Sequence, residues 1–188
     1  LKLIFGDKIE TYGINLETHW NKSLVRKYAL HEKLFSKDNV DKNLPKIYIL
    51  DAGKKLPFDN ESFDFIFNPA TMQYLTDKAL FIEEVNRILT KNGIAALELQ
   101  EYRETHPVEY QNIIEIWNKE AKRIDILKYL GKFSNVKVNK CKNRPWHYII
   151  MKKAKNLDLK LKFVDAINLG DIAPSPVLWG TKSIYVLK

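Results

Sequence analysis

The sequence holds one cysteine, Cys141, among 188 residues, which excludes an intramolecular disulfide and any cysteine-based metal cluster. No apolar run approaches the roughly 20 residues needed to span a bilayer. Nor is there the charged, apolar and small-residue succession of a secretory signal. A cytoplasmic protein that does not enter the membrane is therefore expected. Internal repeats and low-complexity segments are also missing. The chain opens at Leu1, not methionine, in an apolar run (Leu1, Leu3, Ile4, Phe5) that looks like the end of a helix. Residues upstream of Leu1 are expected for that reason.

What is present suits a packed domain. Hydrophobic residues make up 45% of the chain and aromatics 12%, enough for a core and too much for overall disorder. The net charge of +8 admits nucleic acid as a partner. Its densest stretch is Lys137, Lys140, Lys142 and Arg144, followed by Lys152 and Lys153. A solvated basic surface accounts for this, as would a phosphorylated substrate or RNA.

Short apolar strands alternate with amphipathic helices. Strands are expected at Thr11 to Leu16, Lys46 to Leu50, Phe63 to Phe67, Ile94 to Leu99, Val136 to Val138 and Tyr148 to Met151. Helical spacing appears from Asn21 to Phe35 and again after Asp77, which can cap a helix with Ala79, Ile82, Val85 and Ile88 on one face. Asn92-Gly93 would end that helix. Val108 to Leu130 follows as a long helical pattern stopping at Gly131. The alternation implies a parallel α/β sheet wrapped on both faces. From about residue 155 the rhythm changes: Leu157 to Val164 alternates as a strand would, Ser183 to Leu187 could pair with it, and a loop with Gly170, Pro174, Pro176 and Gly180 lies between. Residues 1–153 are expected to form the main domain, and 154–188 a small β-rich extension packed on it.

Ligands of open α/β sheets bind beyond the carboxyl ends of the strands. Those ends are polar here: Asn15 and Glu17, then Asp51, then Asn68, then Glu98 and Gln100. A carboxylate after one strand can accept hydrogen bonds from ribose hydroxyls, and one after the next can accept from an adenine amino group.

Over these residues the chain resembles class I (Rossmann-like) S-adenosylmethionine-dependent methyltransferases of the small-molecule type. DAGKKLPFDNESFDFIF, from Asp51 on, is similar to that family's Asp-Ala-x-x-Leu-Pro-Phe segment, turn and Phe-Asp strand. MQYLTDKALFIEEVNRILTKNGIAALEL resembles the turn, helix ending in Arg-x-Leu, and strand that follow. TYGINLE resembles the strand with the ribose-binding end. The resemblance implies a three-layer Rossmann-like sheet with helices on both faces, and S-adenosyl-L-methionine as cofactor. It implies that Asp51 contacts the adenine amino group and that the Ala52 N–H faces the ring. Asn68 would lie by the methionine and sulfonium, Leu56 and Phe58 by the adenine, and Gln73 and Tyr74 on the acceptor side. Three departures stand out. Asn15 occupies the place of the usual ribose-binding acid, so Glu17 is the alternative. Asn92-Gly93 replaces Pro-Gly-Gly. The first strand and its glycine-rich loop have no counterpart, and no residue present replaces the close backbone approach that loop allows.

Methyl transfer from a sulfonium is an in-line displacement, helped mainly by positioning and exclusion of water. An oxygen acceptor needs a general base, while an amine only needs to arrive deprotonated. His147 and His106 are the candidate bases, with Glu98 and His19 behind them. Asn68-Pro69 half-matches the Asn-Pro-Pro-aromatic motif of enzymes that methylate base amino groups, but Ala70 and Thr71 remove the stacking ring. The expectation is methyl transfer to an oxygen or nitrogen of a small molecule, such as a sugar or a phosphorylated metabolite. The alternatives are an RNA or protein methyltransferase using the basic surface, and a catalytically inactive methyltransferase-like binding domain.

Overall fold

A computed structural model describes residues 1–100, 113–141, 146–169 and 180–188. They divide into two compact units, Leu1–Ala52 and Gly53–Lys188. The class is mixed α/β, as the alternation implied, but the strands form separate sheets of mixed direction in place of one parallel sheet.

The first unit runs α1 (Lys2–Phe5), a 3-10 turn (Gly6–Lys8), β1 (Tyr12–Asn15), α2 (Lys22–His31), α3 (Val40–Asn43) and β2 (Lys46–Ile49). Asn21 starts α2 because its side-chain oxygen accepts the Leu24 N–H at 3.1 Å, satisfying a donor that has no partner within the helix. The helix stops at His31, short of the expected Phe35: Lys33 takes a left-handed φ of 53°, which no α-helix continues through. The Arg26 Nε donates to both carboxylate oxygens of Asp41, at 3.1 and 3.2 Å, tying α2 to α3. β1 and β2 pair in parallel with Asn15 opposite Ile49, and Leu50 N–H donates to Asn15 O at 2.9 Å. The two strands therefore end level with each other.

The second unit holds β3 (Phe63–Asn68), a 3-10 turn (Met72–Tyr74), α4 (Lys78–Ile88), β4 (Leu89–Gln100), β5 (Ile114–Trp117), β6 (Arg123–Ile124), α5 (Ile126–Leu130), β7 (Val136–Lys140), β8 (Trp146–Lys152), β9 (Leu161–Asn168) and β10 (Thr181–Leu187). Two four-stranded sheets result, ordered β3-β4-β8-β7 and β6-β5-β10-β9. β3 and β4 are parallel, and β8 runs antiparallel between β4 and β7. Asp77 caps α4 by accepting the Leu80 N–H at 3.0 Å. The apolar face of α4 (Ala79, Ile82, Val85, Ile88) is buried, as are Ala95, Leu97, Leu99, Ile149 and Met151 on β4 and β8. Each such side chain contributes about 1.5–3 kcal/mol by leaving water.

Three expectations need correction. Within the described part of 108–130 there is no long helix: Ile114–Trp117 and Arg123–Ile124 form a hairpin. Its turn is built by Asn118, whose side-chain oxygen accepts from Glu120 N and Lys122 N, each at 2.9 Å, with Ala121 at φ 55°. β-branched Ile113, Ile114 and Ile116 favour the strand. Asn92-Gly93 does not end the helix either. α4 ends at Ile88 and β4 starts at once, with Asn92-Gly93 in a bulge where the register jumps between the Phe63–Leu89 and Phe65–Ile94 pairs. Gly93 is needed there because a Cβ would lie 2.9 Å from Phe63 O. Finally, the strand expected at Leu157 to Val164 sits at Leu161–Asn168. It does pair antiparallel with β10, as expected, but β10 also pairs in parallel with β5.

Candidate functional site

In the first unit, the level ends of β1 and β2 bring the expected adenosine-binding residues onto one edge. Asn15 closes β1, and its side-chain oxygen accepts the Glu17 N–H at 2.9 Å. That turn commits the amide oxygen to the backbone. The Glu17 carboxylate lies 3.4 Å from His19 Nε2 in an exposed pair. Asp51 and Ala52 follow β2 directly.

In the second unit, β3 ends on Asn68 opposite Leu97 of β4. The chain then turns sharply: Ala70 adopts a left-handed φ of 49°, a conformation that costs a non-glycine residue of order 1 kcal/mol. Thr71 Oγ1 donates to Pro69 O at 2.8 Å, and the 3-10 turn carries Gln73 and Tyr74. Gln73 is 5% exposed and Tyr74 is 55% exposed. Among the described residues, the side-chain oxygens of Asn68 and Gln73 are both buried without a hydrogen-bond partner. Buried polar atoms are ordinarily paired, so two such oxygens within six residues, at the end of a parallel strand, make this a candidate site.

The Leu56 to Phe58 segment is clamped from α4. Glu84 Oε2 accepts the Leu56 N–H at 2.8 Å, and Arg87 donates to Leu56 O at 2.9 Å and Phe58 O at 2.7 Å. Glu84 and Arg87 also pair with each other at 2.8 Å. The Arg87 guanidinium holds the Glu84 carboxyl below its ordinary value. The glutamate and arginine of FIEEVNRIL thus position the Leu-Pro-Phe segment.

Sequence reasoning missed the group that fixes the 3-10 turn. Lys78 is fully buried. Its ammonium donates to Leu75 O at 2.7 Å, to Thr181 O at 2.5 Å and to Ser183 Oγ at 2.8 Å. Ser183 Oγ donates in turn to Thr76 O at 2.8 Å. Beside it, Tyr185 OH donates to Asp77 Oδ1 at 2.8 Å and accepts the Ala79 N–H at 2.9 Å; burial pushes the Tyr185 phenol well above its usual range. β10 is thereby fastened to the chain that follows the turn, from Leu75 to Ala79. Gly180, at the start of β10, lies so close that a Cβ would stand 2.7 Å from Gln73 O. No local pattern announces these contacts, because the partners lie more than 100 residues away in sequence.

The candidate bases fare differently. His147 is 3% exposed and opposite Leu99 on β8, and its Nδ1 accepts the Cys141 N–H at 3.3 Å. In the neutral ring that contact assigns the proton to Nε2. Glu98 is also buried, with Tyr148 OH donating to it at 3.3 Å. His106 lies outside the described residues.

Residues 19–97 match the model of a family described as the methyltransferase domain. Over that segment the chain is similar to methyltransferase domains. Among solved structures it is similar to the MccD protein, at 19% identity, covering 55% of this chain and 41% of that one, with a TM-score of 0.42. It is similar to a SAM-dependent methyltransferase from Aquifex aeolicus, at 18% identity, 78% and 71% coverage and a TM-score of 0.44. The YcgJ protein from Bacillus subtilis is 18% identical, with 55% and 40% coverage and a TM-score of 0.41. The chain thus spans about two fifths of the MccD and YcgJ chains. No curated protein matches. Among the described residues, no helix is long and apolar enough to cross a membrane.

Proposed function

We propose that this chain belongs to a cytoplasmic S-adenosylmethionine-dependent methyltransferase acting on an oxygen or nitrogen of a small molecule, such as a sugar or a phosphorylated metabolite. The observation that carries the reading is the pair of buried, unpartnered amide oxygens, Asn68 Oδ1 and Gln73 Oε1, in the region of the methyltransferase match.

The residues suit the cofactor. Asp51 provides a carboxylate for the adenine amino group and Ala52 a backbone N–H for the ring. For the ribose hydroxyls, the Asn15 amide N–H groups act as donors, since its oxygen already serves Glu17, and Glu17 supplies the acceptor. Asn68 would serve the methionine end. When bound, S-adenosylmethionine supplies an electrophilic methyl on a sulfonium. The work of the protein is to hold the acceptor in line with that methyl and to keep water away. Within the second unit, the clamp on Leu56 to Phe58 and the Lys78 network would keep the Leu-Pro-Phe segment and the 3-10 turn in place. His147 serves as a packing residue in this reading. An RNA substrate has only the net charge in its favour.

A thermal melt of the full-length protein tests the proposal. Millimolar S-adenosylmethionine should raise the melting temperature, as any ligand selective for the folded state does. No shift would refute it.

A further inference from the structure

A polar cleft of about 270 Å³ opens in the second unit, at the end of β3 opposite to Asn68. The turn before β3, the last turns of α4 and the segment after β8 supply its walls. Those walls are braced. Asn86 exchanges hydrogen bonds with the backbone of Ala154 at 2.8 and 3.2 Å. The Lys153 ammonium donates to Asn86 O and Arg87 O, each at 2.9 Å, and lies 3.8 Å from Glu61. Every guanidinium N–H of Arg87 is spent, on Glu84, Leu56 O, Phe58 O and Asn60 Oδ1. Glu83 and Lys155, of opposite charge, line the same cleft. Glu83 Oε1 accepts the Leu159 N–H at 2.8 Å, but neither Glu83 nor Lys155 makes an ion pair among the described residues. Burial holds the Glu83 carboxyl above its ordinary value, with Asp158 and Asp77 adding to the rise and the Leu159 N–H and Lys188 working against it.

We propose that this cleft binds a small amino acid, its ammonium on the Glu83 carboxylate and its carboxylate on the Lys155 ammonium. A volume just under the roughly 300–1,000 Å³ of drug-sized sites admits only a small ligand. A half-buried carboxylate without a countercharge costs the free protein stability, and an ammonium offsets that cost through a charge-assisted hydrogen bond. A lone cation would leave Lys155 unmatched and meet the like charges of Arg87 and Lys153. A lone anion would leave Glu83 unmatched and meet Glu61 as well. A zwitterion answers both open charges. Asn156, on the same wall, adds an amide that serves either group. The cleft draws on no residue assigned to the cofactor, so its occupancy is independent of methyl transfer.

Glycine, β-alanine and γ-aminobutyrate, titrated into the full-length protein by calorimetry, test this. At least one should bind saturably at millimolar concentration or below. Propylamine and propanoate, each with only one of the charges, should bind at least about tenfold more weakly, the worth of one charge-assisted hydrogen bond. Glu83→Gln keeps an acceptor for the Leu159 N–H, and Lys155→Ala alters an exposed side chain, so both variants should fold. Each should weaken the bound amino acid by about tenfold. Absence of saturable binding by all the amino acids, equal binding of the single-charge probes, or an affinity indifferent to both substitutions overturns the proposal.

Discussion

Replacing Lys78 by methionine keeps most of the side chain's stem and removes the ammonium. In the native protein that ammonium serves two carbonyls, Leu75 O and Thr181 O, and the Ser183 hydroxyl. The substitution also relieves the desolvation of the charge, worth several kcal/mol, so the loss is smaller than three charged hydrogen bonds would suggest. Ser183 retains its bond to Thr76 O and suffers least. The two carbonyls are left in a dry site at about 1–3 kcal/mol each, and the expected net loss is about 2–4 kcal/mol. Against a typical total of about 5–15 kcal/mol that is a large share. At about 2–4 °C per kcal/mol for a protein of this size, it lowers the melting temperature by roughly 4–16 °C. Urea unfolding followed by circular dichroism measures it directly. Ser183→Ala should cost less, and the double variant should lose less than the sum, because the two residues share a bond. A Lys78→Met variant within about 0.5 kcal/mol of the parent, the range of ordinary surface substitutions, would show that the ammonium does not hold β10 to the turn.

Other outcomes follow from the same contacts. Asp51→Ala should weaken S-adenosylmethionine binding by about 1–3 kcal/mol, the cost of an unsatisfied polar partner, with the fold intact by circular dichroism; unchanged affinity would misplace the adenine pocket. Gly180→Ala should disturb the Gln73 turn, since its Cβ would lie 2.7 Å from Gln73 O, and should lower the melting temperature more than Gly131→Ala does. Glu84 gives an acid signature. Its folded pKa is depressed below the ordinary 4.5 by Arg87, so its contribution is complete above that value and is lost as pH falls through the folded pKa. Glu84→Gln should therefore flatten the fall in stability below about pH 4.5, measured by urea midpoints across pH.

Much of the domain was legible in local pattern. Asn21 and Asp77 announce their helices because a cap is a contact three residues long, and β1 to β4 show their period within a few residues. The polar strand ends were legible for the same reason. The hairpin at Ile114–Ile124 was not: clustered isoleucines satisfy helical and strand spacing alike, and what decides is the parallel pairing of β5 with β10, about 70 residues away in sequence. Nor could sequence reveal that Lys78 is buried, since a lysine after a capping aspartate reads as a solvated first turn. Gln73 and Asn68 were named as site residues, but their unpartnered oxygens depend on the turn at Ala70 and the approach of Gly180, which only the folded chain displays.

The central proposal is that this protein binds S-adenosylmethionine, and calorimetric titration of the full-length protein with S-adenosylmethionine tests it most directly. Saturable binding of one cofactor per chain, weakened by Asp51→Ala, is the expected result. Absence of saturable binding by a folded sample at millimolar cofactor would contradict the account.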